Sequence, residues 1–271
     1  MHAWHGLIVN EQPFGYHRSM IVDDILIVDA TGEKTVGANP DISDVAALIA
    51  DPSRASMLMV LLGGQTLLAS ELARIAGITP QTASSHLAKM VDRHLLTVES
   101  RGRHRYFRLA SPEVAHALES LTTIAAPLKV RSLRQSDQAK ALRFARSCYD
   151  HLAGEVGVAV TTKLMKRQWL ILEEGNFTIT DVGISGFADL GVNMLDLSSR
   201  RRAVARPCLD WSERRHHVAG SLGAALATRF FDLEWIRRTP STRAVTITAK
   251  GSAGLRQYFG IQVEDLRADT P

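Results

Sequence analysis

Cys148 and Cys208 are the only thiols in 271 residues, and each is followed by a histidine able to share its chemistry. His151 follows Cys148 closely, and His216-His217 follow Cys208 in the phrase RPCLDWSERRHH. Two cysteines and two histidines make a ligand set for a tetrahedral Zn²⁺ ion if the fold brings them together. The same thiols make a redox switch if the sulfurs come within disulfide reach. The two spacings differ, however, and Cys208 does not align with Cys148 when the surrounding phrases are superposed, so a shared site does not follow from the pattern. The simpler reading is two partly buried thiols and two histidines donating to backbone carbonyls, and no cofactor is expected on that reading. A third chemistry is the binding of a small organic effector. Trp169, Trp211 and Trp235, with Tyr149 and Phe231, are suited to line a cleft in which His151, His217 and Arg206 orient a polar or anionic group. Of the sensing modes, the organic effector is the one the sequence favours.

A second group of residues suits nucleic acid. From Pro80 onward, Ala83, Leu87, Met90 and Val91 recur at helical spacing and form a buried stripe. Gln81, Thr82, Ser85 and Lys89 share the opposite face, with Ser84 and His86 near its borders. Glutamine pairs with adenine in the major groove, and short hydroxyls reach bases or phosphates. Downstream, VESRGRHRYFRL reads as a hairpin whose tip carries Arg101, Arg103, His104 and Arg105 toward the phosphate backbone or the minor groove.

The elements that must position these groups are marked by caps and stops. DISDVAALIA gives a short helix with Ile42, Val45, Leu48 and Ile49 on one face. Asp51-Pro52 reads as N-cap and first residue of the next helix, which Gly63-Gly64 ends. SELARIAG is a third helix with Gly77 as its stop, and Thr79-Pro80 opens the fourth. The hairpin follows, and SPEVAHALESLTTIA closes the run as a helix capped by Ser111. This order resembles a winged helix-turn-helix, and over residues 41–125 it is similar to the ArsR/SmtB family of bacterial regulators. The resemblance rests on DPSRASMLMVLL, on SELARIAG…TPQTASSHLAKMVDRHLL and on the wing. It implies DNA binding, a homodimer built on the first and last helices of the module, and an inverted-repeat operator in double-stranded DNA. Many relatives hold metal through cysteines in a phrase like ELCVCDL. Here TLLASEL places Ala69 and Ser70, which supply no thiolate. On the last helix His116 and Glu119 make half a site at best, with Glu119 read as solvated.

Beyond residue 125 the chain repeats itself. HLAGEVGVAV (151–160) returns as HVAGSLGAAL (217–226), and FTITDVGISGF (177–187) as VTITAKGSAGL (245–255). Each copy reads as a small-residue helix, a hairpin and a final helix opened by Thr180 or Thr248. The fold class expected is therefore mainly α with small β-hairpins (α+β): a winged helix-turn-helix followed by two tandem winged-helix-like repeats. The domains are 1–38, a mobile extension; 39–126, the DNA-binding module; 127–198, repeat 1; and 199–271, repeat 2. Ala153, Gly154 and Gly157, with Ala219, Gly220 and Gly223, are expected to let these units pack closely. The basic runs Arg200-Arg201-Arg202 and Arg214-Arg215 are read as solvated faces.

The bulk numbers permit this reading. Thirty-two Lys and Arg against 28 Asp and Glu give a net charge of +4, enough to allow nucleic-acid binding without demanding it. No apolar run has the length of a transmembrane span, and no secretory signal opens the chain, so a cytoplasmic protein with no membrane partner is expected. Nucleophile-elbow, P-loop, dinucleotide and HExxH phrases are missing from the sequence, which argues against an enzyme.

Overall fold

The structure, a computed structural model, describes residues 42–126, 132–198 and 202–268, and the backbone of 27–28 and 34–35. Residues up to Asp44 form a separate unit, in which β1 (Ile27–Val28) pairs antiparallel with β2 (Lys34–Thr35). The first of these strands falls within MIVDDILIVDA, and Lys34-Thr35 is its partner. The mobility expected of residues 1–38 otherwise lies outside the described residues.

The unit from Val45 onward begins as the caps dictate. Helices α1 (Ser43–Ala50) and α2 (Pro52–Leu61) are followed by a two-residue strand β3 (Leu67–Leu68), then α3 (Ala69–Ala76) and α4 (Pro80–Asp92). The wing is β4 (Leu96–Arg101) and β5 (His104–Leu109), and α5 (Pro112–Ile124) closes the module. The side chains of Asp51, Thr79 and Ser111 accept from the amides of Arg54, Thr82 and Val114 at 2.9, 3.1 and 3.4 Å. Each such cap contributes about 1 kcal/mol. Met57, Leu58, Leu72, Leu87, Met90 and Phe107 form the core of this module. Ile42, expected on the buried face of α1, precedes the first helical residue and is 74 % exposed. The strand β3 was not anticipated: Leu67 pairs with Phe107 and completes a three-stranded sheet in the order β3-β5-β4.

The remainder begins with α6 (Leu133–Phe144) and then follows one element order twice. The first run is β6 (Arg146–Cys148), β7 (His151–Ala153), α7 (Gly154–Lys166), β8 (Leu170–Glu173), β9 (Asn176–Ile179), α8 (Asp181–Asp189) and α9 (Met194–Ser198). The second is β10 (Arg206–Leu209), β11 (His216–Ala219), α10 (Gly220–Asp232), β12 (Ile236–Arg238), β13 (Val245–Ile247), α11 (Ala249–Phe259) and α12 (Val263–Ala268). The expected helix–hairpin–helix plan is present in each run, but an extra hairpin leads it. HLA and HVA were read as the start of a helix; they are strands, and the helix begins only at the glycine behind them. Gly154 and Gly220 sit at φ +81° and +82°, which breaks the strand and turns it into the helix.

The two runs share their locks. Thr180 and Thr248 cap α8 and α11 by accepting from Gly183 and Gly251, each at 3.0 Å. Trp169 lies across Gly186, and Trp235 lies across Gly254. A Cβ on either glycine would stand 2.2 Å from the indole. Gly254→Val is therefore expected to overpack this seat by about 1–3 kcal/mol, read as a fall in Tm of roughly 2–10 °C by calorimetry. Helix α7 packs on β11 and α10 on β7, so each helix covers the hairpin of the other run. Val156, Leu164, Phe187, Leu222, Phe230 and Phe259 share the resulting core. Among the described residues no helix is long and apolar enough to cross a membrane.

Candidate functional site

The first site is the outer face of α4 with the wing beside it. Burying Ala83, Leu87 and Met90 leaves Gln81, Thr82, Ser84, Ser85 and Lys89 exposed. Ser84 turns its hydroxyl to the Pro80 carbonyl at 2.9 Å, and Thr82 bonds the Thr79 hydroxyl at 2.8 Å. His86 is half-buried, its Nδ1 3.2 Å from Arg54 and its Nε2 3.9 Å from Asp51, so it braces α4 against the start of α2. At the wing Arg101, Arg103, His104 and Arg105 are all exposed. Arg101 is engaged by both carboxylate oxygens of Glu99 at 2.9 and 3.0 Å, whereas Arg103 projects beside Gly102 at the turn. Gln81, Ser85 and Lys89 on α4 and Arg103 and Arg105 on the wing are thus open to solvent.

The second site is buried beneath the first hairpin of each run. Antiparallel register sets Cys148 opposite His151, and sets Cys208 opposite His217. Linear alignment hid this equivalence because the second hairpin carries a longer connection between its strands. The four ligand atoms lie within 4.8 Å of one another, and all four residues are buried. Cys148 Sγ is 3.8 Å from Cys208 Sγ, and His151 Nε2 is 3.2 Å from His217 Nε2. A carboxylate stands behind each histidine. Asp150 Oδ1 is 3.2 Å from His151 Nδ1, and Asp210 Oδ2 is 3.2 Å from His217 Nδ1, a close contact outside hydrogen-bond geometry. The expectation of partly buried thiols and of histidines donating to backbone carbonyls is corrected on both counts.

Arginines secure those carboxylates. Arg202 pairs with Asp150 at 2.6 Å and Arg146 with Asp210 at 2.9 Å. Glu119 reaches in from α5. Its Oε2 accepts from the Cys148 thiol and lies 3.7 Å from Cys208 Sγ, while Oε1 accepts from Arg243 at 3.0 Å. Glu119 was expected to be solvated; it is buried, because its partners lie far along the chain. Burial, with Cys208 and Glu119 adjacent, pushes the Cys148 thiol well above its usual range. Cys148, with His151 and His217 beside it, draws the Cys208 thiol down although burial opposes this. Burial alone would lower His151, but Asp150 and Cys208 outweigh it and push the imidazole up to about 9. Asp210 is held below the usual carboxylate range: burial opposes this, and His217 and Arg146 override it.

The remaining expected effector residues do not converge. Trp169 and Trp235 belong to the shared core, and Trp211 lies under Arg146 at 4.5 Å. Arg206 is half-buried at the start of β10, opposite Ala219. Tyr149 and Phe231 line a cavity of about 340 Å³ with Arg108, Arg202 and Arg238, but Arg202 is committed to Asp150 and Arg238 to the Gly63 carbonyl. Nor are the basic runs simply solvated. Arg214 donates to the Thr123 carbonyl and Arg215 to the Thr162 hydroxyl, while Arg200 and Arg201 lie outside the described residues. Asp150, Asp210, Arg146 and Arg243 had no signal beyond being charged, and Glu119 only its place beside His116 on the last helix.

Comparison with known proteins agrees with the fold of the first site. The family model described as a helix-turn-helix domain matches residues 49–99. The Uncharacterized HTH-type transcriptional regulator YdfF of Bacillus subtilis is 46 % identical over 225 residues, 83 % of this chain and the whole of that protein. Among solved structures, HlyU from Vibrio cholerae is 23 % identical with a TM-score of 0.28, over 30 % of this chain and 87 % of its own. The transcriptional repressor BigR from Xylella fastidiosa is 20 % identical with a TM-score of 0.30, over 32 % and 88 %. The antimony-specific repressor AntR is 22 % identical with a TM-score of 0.29, over 42 % and 90 %.

Proposed function

Because the chain belongs to the HTH-type transcriptional regulators and carries an ArsR-type winged module, we propose that it acts as a dimeric repressor, held on an inverted-repeat operator by α4 and the wing and released by an effector taken up in the C-terminal half. The observation that carries this reading is the exposed polar face of α4 together with the exposed Arg103 and Arg105 of the wing. Dimerisation is supported by the outer end of α5, where Leu121 is 42 % and Ile124 is 80 % exposed. A two-fold axis there sets the two α4 helices to read half-sites about one helical turn, roughly 34 Å, apart. Residues 127–198 and 199–271 are read as two copies of one hairpin–helix–hairpin–helix unit, supported by the matched Thr caps, Trp seats and Cys–His register. An effector bound between them would act on α5, which Glu119 ties to both copies.

The test is fluorescence anisotropy on DNA from the regulator's own promoter region. The Gln81→Ala, Arg103→Ala double variant is expected to bind at least about tenfold more weakly at physiological salt, each lost base contact costing about 1–3 kcal/mol. Arg103→Ala alone should weaken all sequences alike and reduce the salt slope by about one. Undiminished binding by the double variant would remove these contacts from the interface.

A further inference from the structure

We propose that Cys148, His151, Cys208 and His217 form a Cys₂His₂ site for a thiophilic, tetrahedral divalent cation of the zinc class, and that Glu119 passes its occupancy to the DNA-binding module. Geometry carries the first half. With Zn–S near 2.3 Å and Zn–N near 2.0–2.1 Å, a tetrahedron has edges of about 3.8 Å between sulfurs and about 3.3 Å between nitrogens. The observed separations are 3.8 and 3.2 Å. Each Nδ1 lies 3.2 Å from a carboxylate oxygen and the two Nε2 atoms face each other, so a cation or a shared proton between them relieves their repulsion. Two thiolates and two neutral imidazoles around a divalent ion sum to zero charge, which suits a site shut off from water. Sulfur and imidazole donors also select against Mg²⁺ and Ca²⁺, which take oxygen shells.

Gly223 lets α10 approach the ligand His151: an added Cβ would stand 3.0 Å from the histidine Cβ as well as 2.5 Å from the Val218 carbonyl. Gly157 is fixed instead by the Leu152 carbonyl, 2.5 Å from an added Cβ, with His217 at an ordinary 3.7 Å.

The second half follows from Glu119. Its carboxylate accepts the Cys148 thiol proton and is paired on its other oxygen with Arg243. A cation drawing both sulfurs toward itself takes Cys148 away from Glu119, which is left with Arg243 as its remaining partner. Ala115 and Leu118, on the same helix, are core residues of the winged module, so a shift at Glu119 is felt there. This coupling rests on the DNA-binding reading above, whereas the metal site does not.

The experiment uses the full chain, kept reduced, stripped with chelator and titrated with Co²⁺ as the spectroscopic probe and then with Zn²⁺. The expected result is one ion per chain, a thiolate-to-cobalt charge-transfer band and intense visible bands of tetrahedral Co²⁺, displaced by Zn²⁺. His217→Gln, checked for folding by circular dichroism, should lower affinity at least about 100-fold. A weak octahedral spectrum, no saturable binding, or a Cys148–Cys208 disulfide that persists in reductant would overturn the site, and the wild-type titration alone is enough to show any of these. Zn²⁺ loading should change operator affinity by at least about fivefold in the wild type. At matched cobalt occupancy the DNA response of Glu119→Gln should be less than about twofold. A full response in that variant overturns the role of Glu119, and a wild-type affinity indifferent to Zn²⁺ overturns the coupling. Metal binding without any DNA binding would instead refute the repressor reading.

Discussion

Arg146→Met is expected to destabilise the protein by about 3–5 kcal/mol, the cost of stranding one member of a buried ion pair. Arg146 is 1 % exposed and Asp210 is fully buried, with 2.9 Å between them. The same guanidinium donates to the Leu142 carbonyl at 3.2 Å and to the Ser212 hydroxyl at 3.1 Å, and stacks on Trp211. Methionine restores most of the volume but none of the charge. Removing Asp210 as well is not expected to rescue the variant, because Asp210 also accepts from the amides of Gly154, Ser212 and Glu213. Urea unfolding of the reduced protein measures the effect as a shift in midpoint at constant slope. A loss below about 1 kcal/mol would mean that water reaches Asp210 and replaces the arginine.

The second large effect is expected at Gly154→Ala, about 2–4 kcal/mol by the same assay. An L-residue in the left-handed region costs about 1–2 kcal/mol. Here the added Cβ would also stand 2.4 Å from the Arg143 carbonyl and 3.0 Å from that of Phe144. Gly175→Ala is the control: its φ of +82° is the same, but nothing lies within 4 Å of the added atom. Equal losses at the two positions would assign the whole cost to backbone conformation.

Gly154 also shows where sequence reading stopped. Capping residues, glycine stops and a helical apolar stripe are local signals, and the winged module follows from them nearly element by element. Only β3 escaped, because two leucines pairing with a distant Phe107 leave no local trace. In the C-terminal half the duplicated phrases were visible, and so were the four ligand residues. Their convergence was not, since it depends on strand register. Cys148–His151 and Cys208–His217 differ in spacing along the chain yet are equivalent across their hairpins. Glu119 was the furthest from reach. Nothing adjacent to it suggests burial, and the three partners of its carboxylate belong to the other half of the chain.

The pairing of Glu119 with Arg243 has a consequence for the order in which the protein is made. The two residues are 124 positions apart, so the carboxylate is synthesised long before its counter-charge. During translation α5 must keep Glu119 in water, and the winged module is complete while the ground that will cover it is still unwritten. Closing so long a loop is slow in entropic terms, which places this contact late in folding. A ribosome-bound chain halted before Arg243 therefore carries a finished winged module whose Glu119 still lacks its counter-charge.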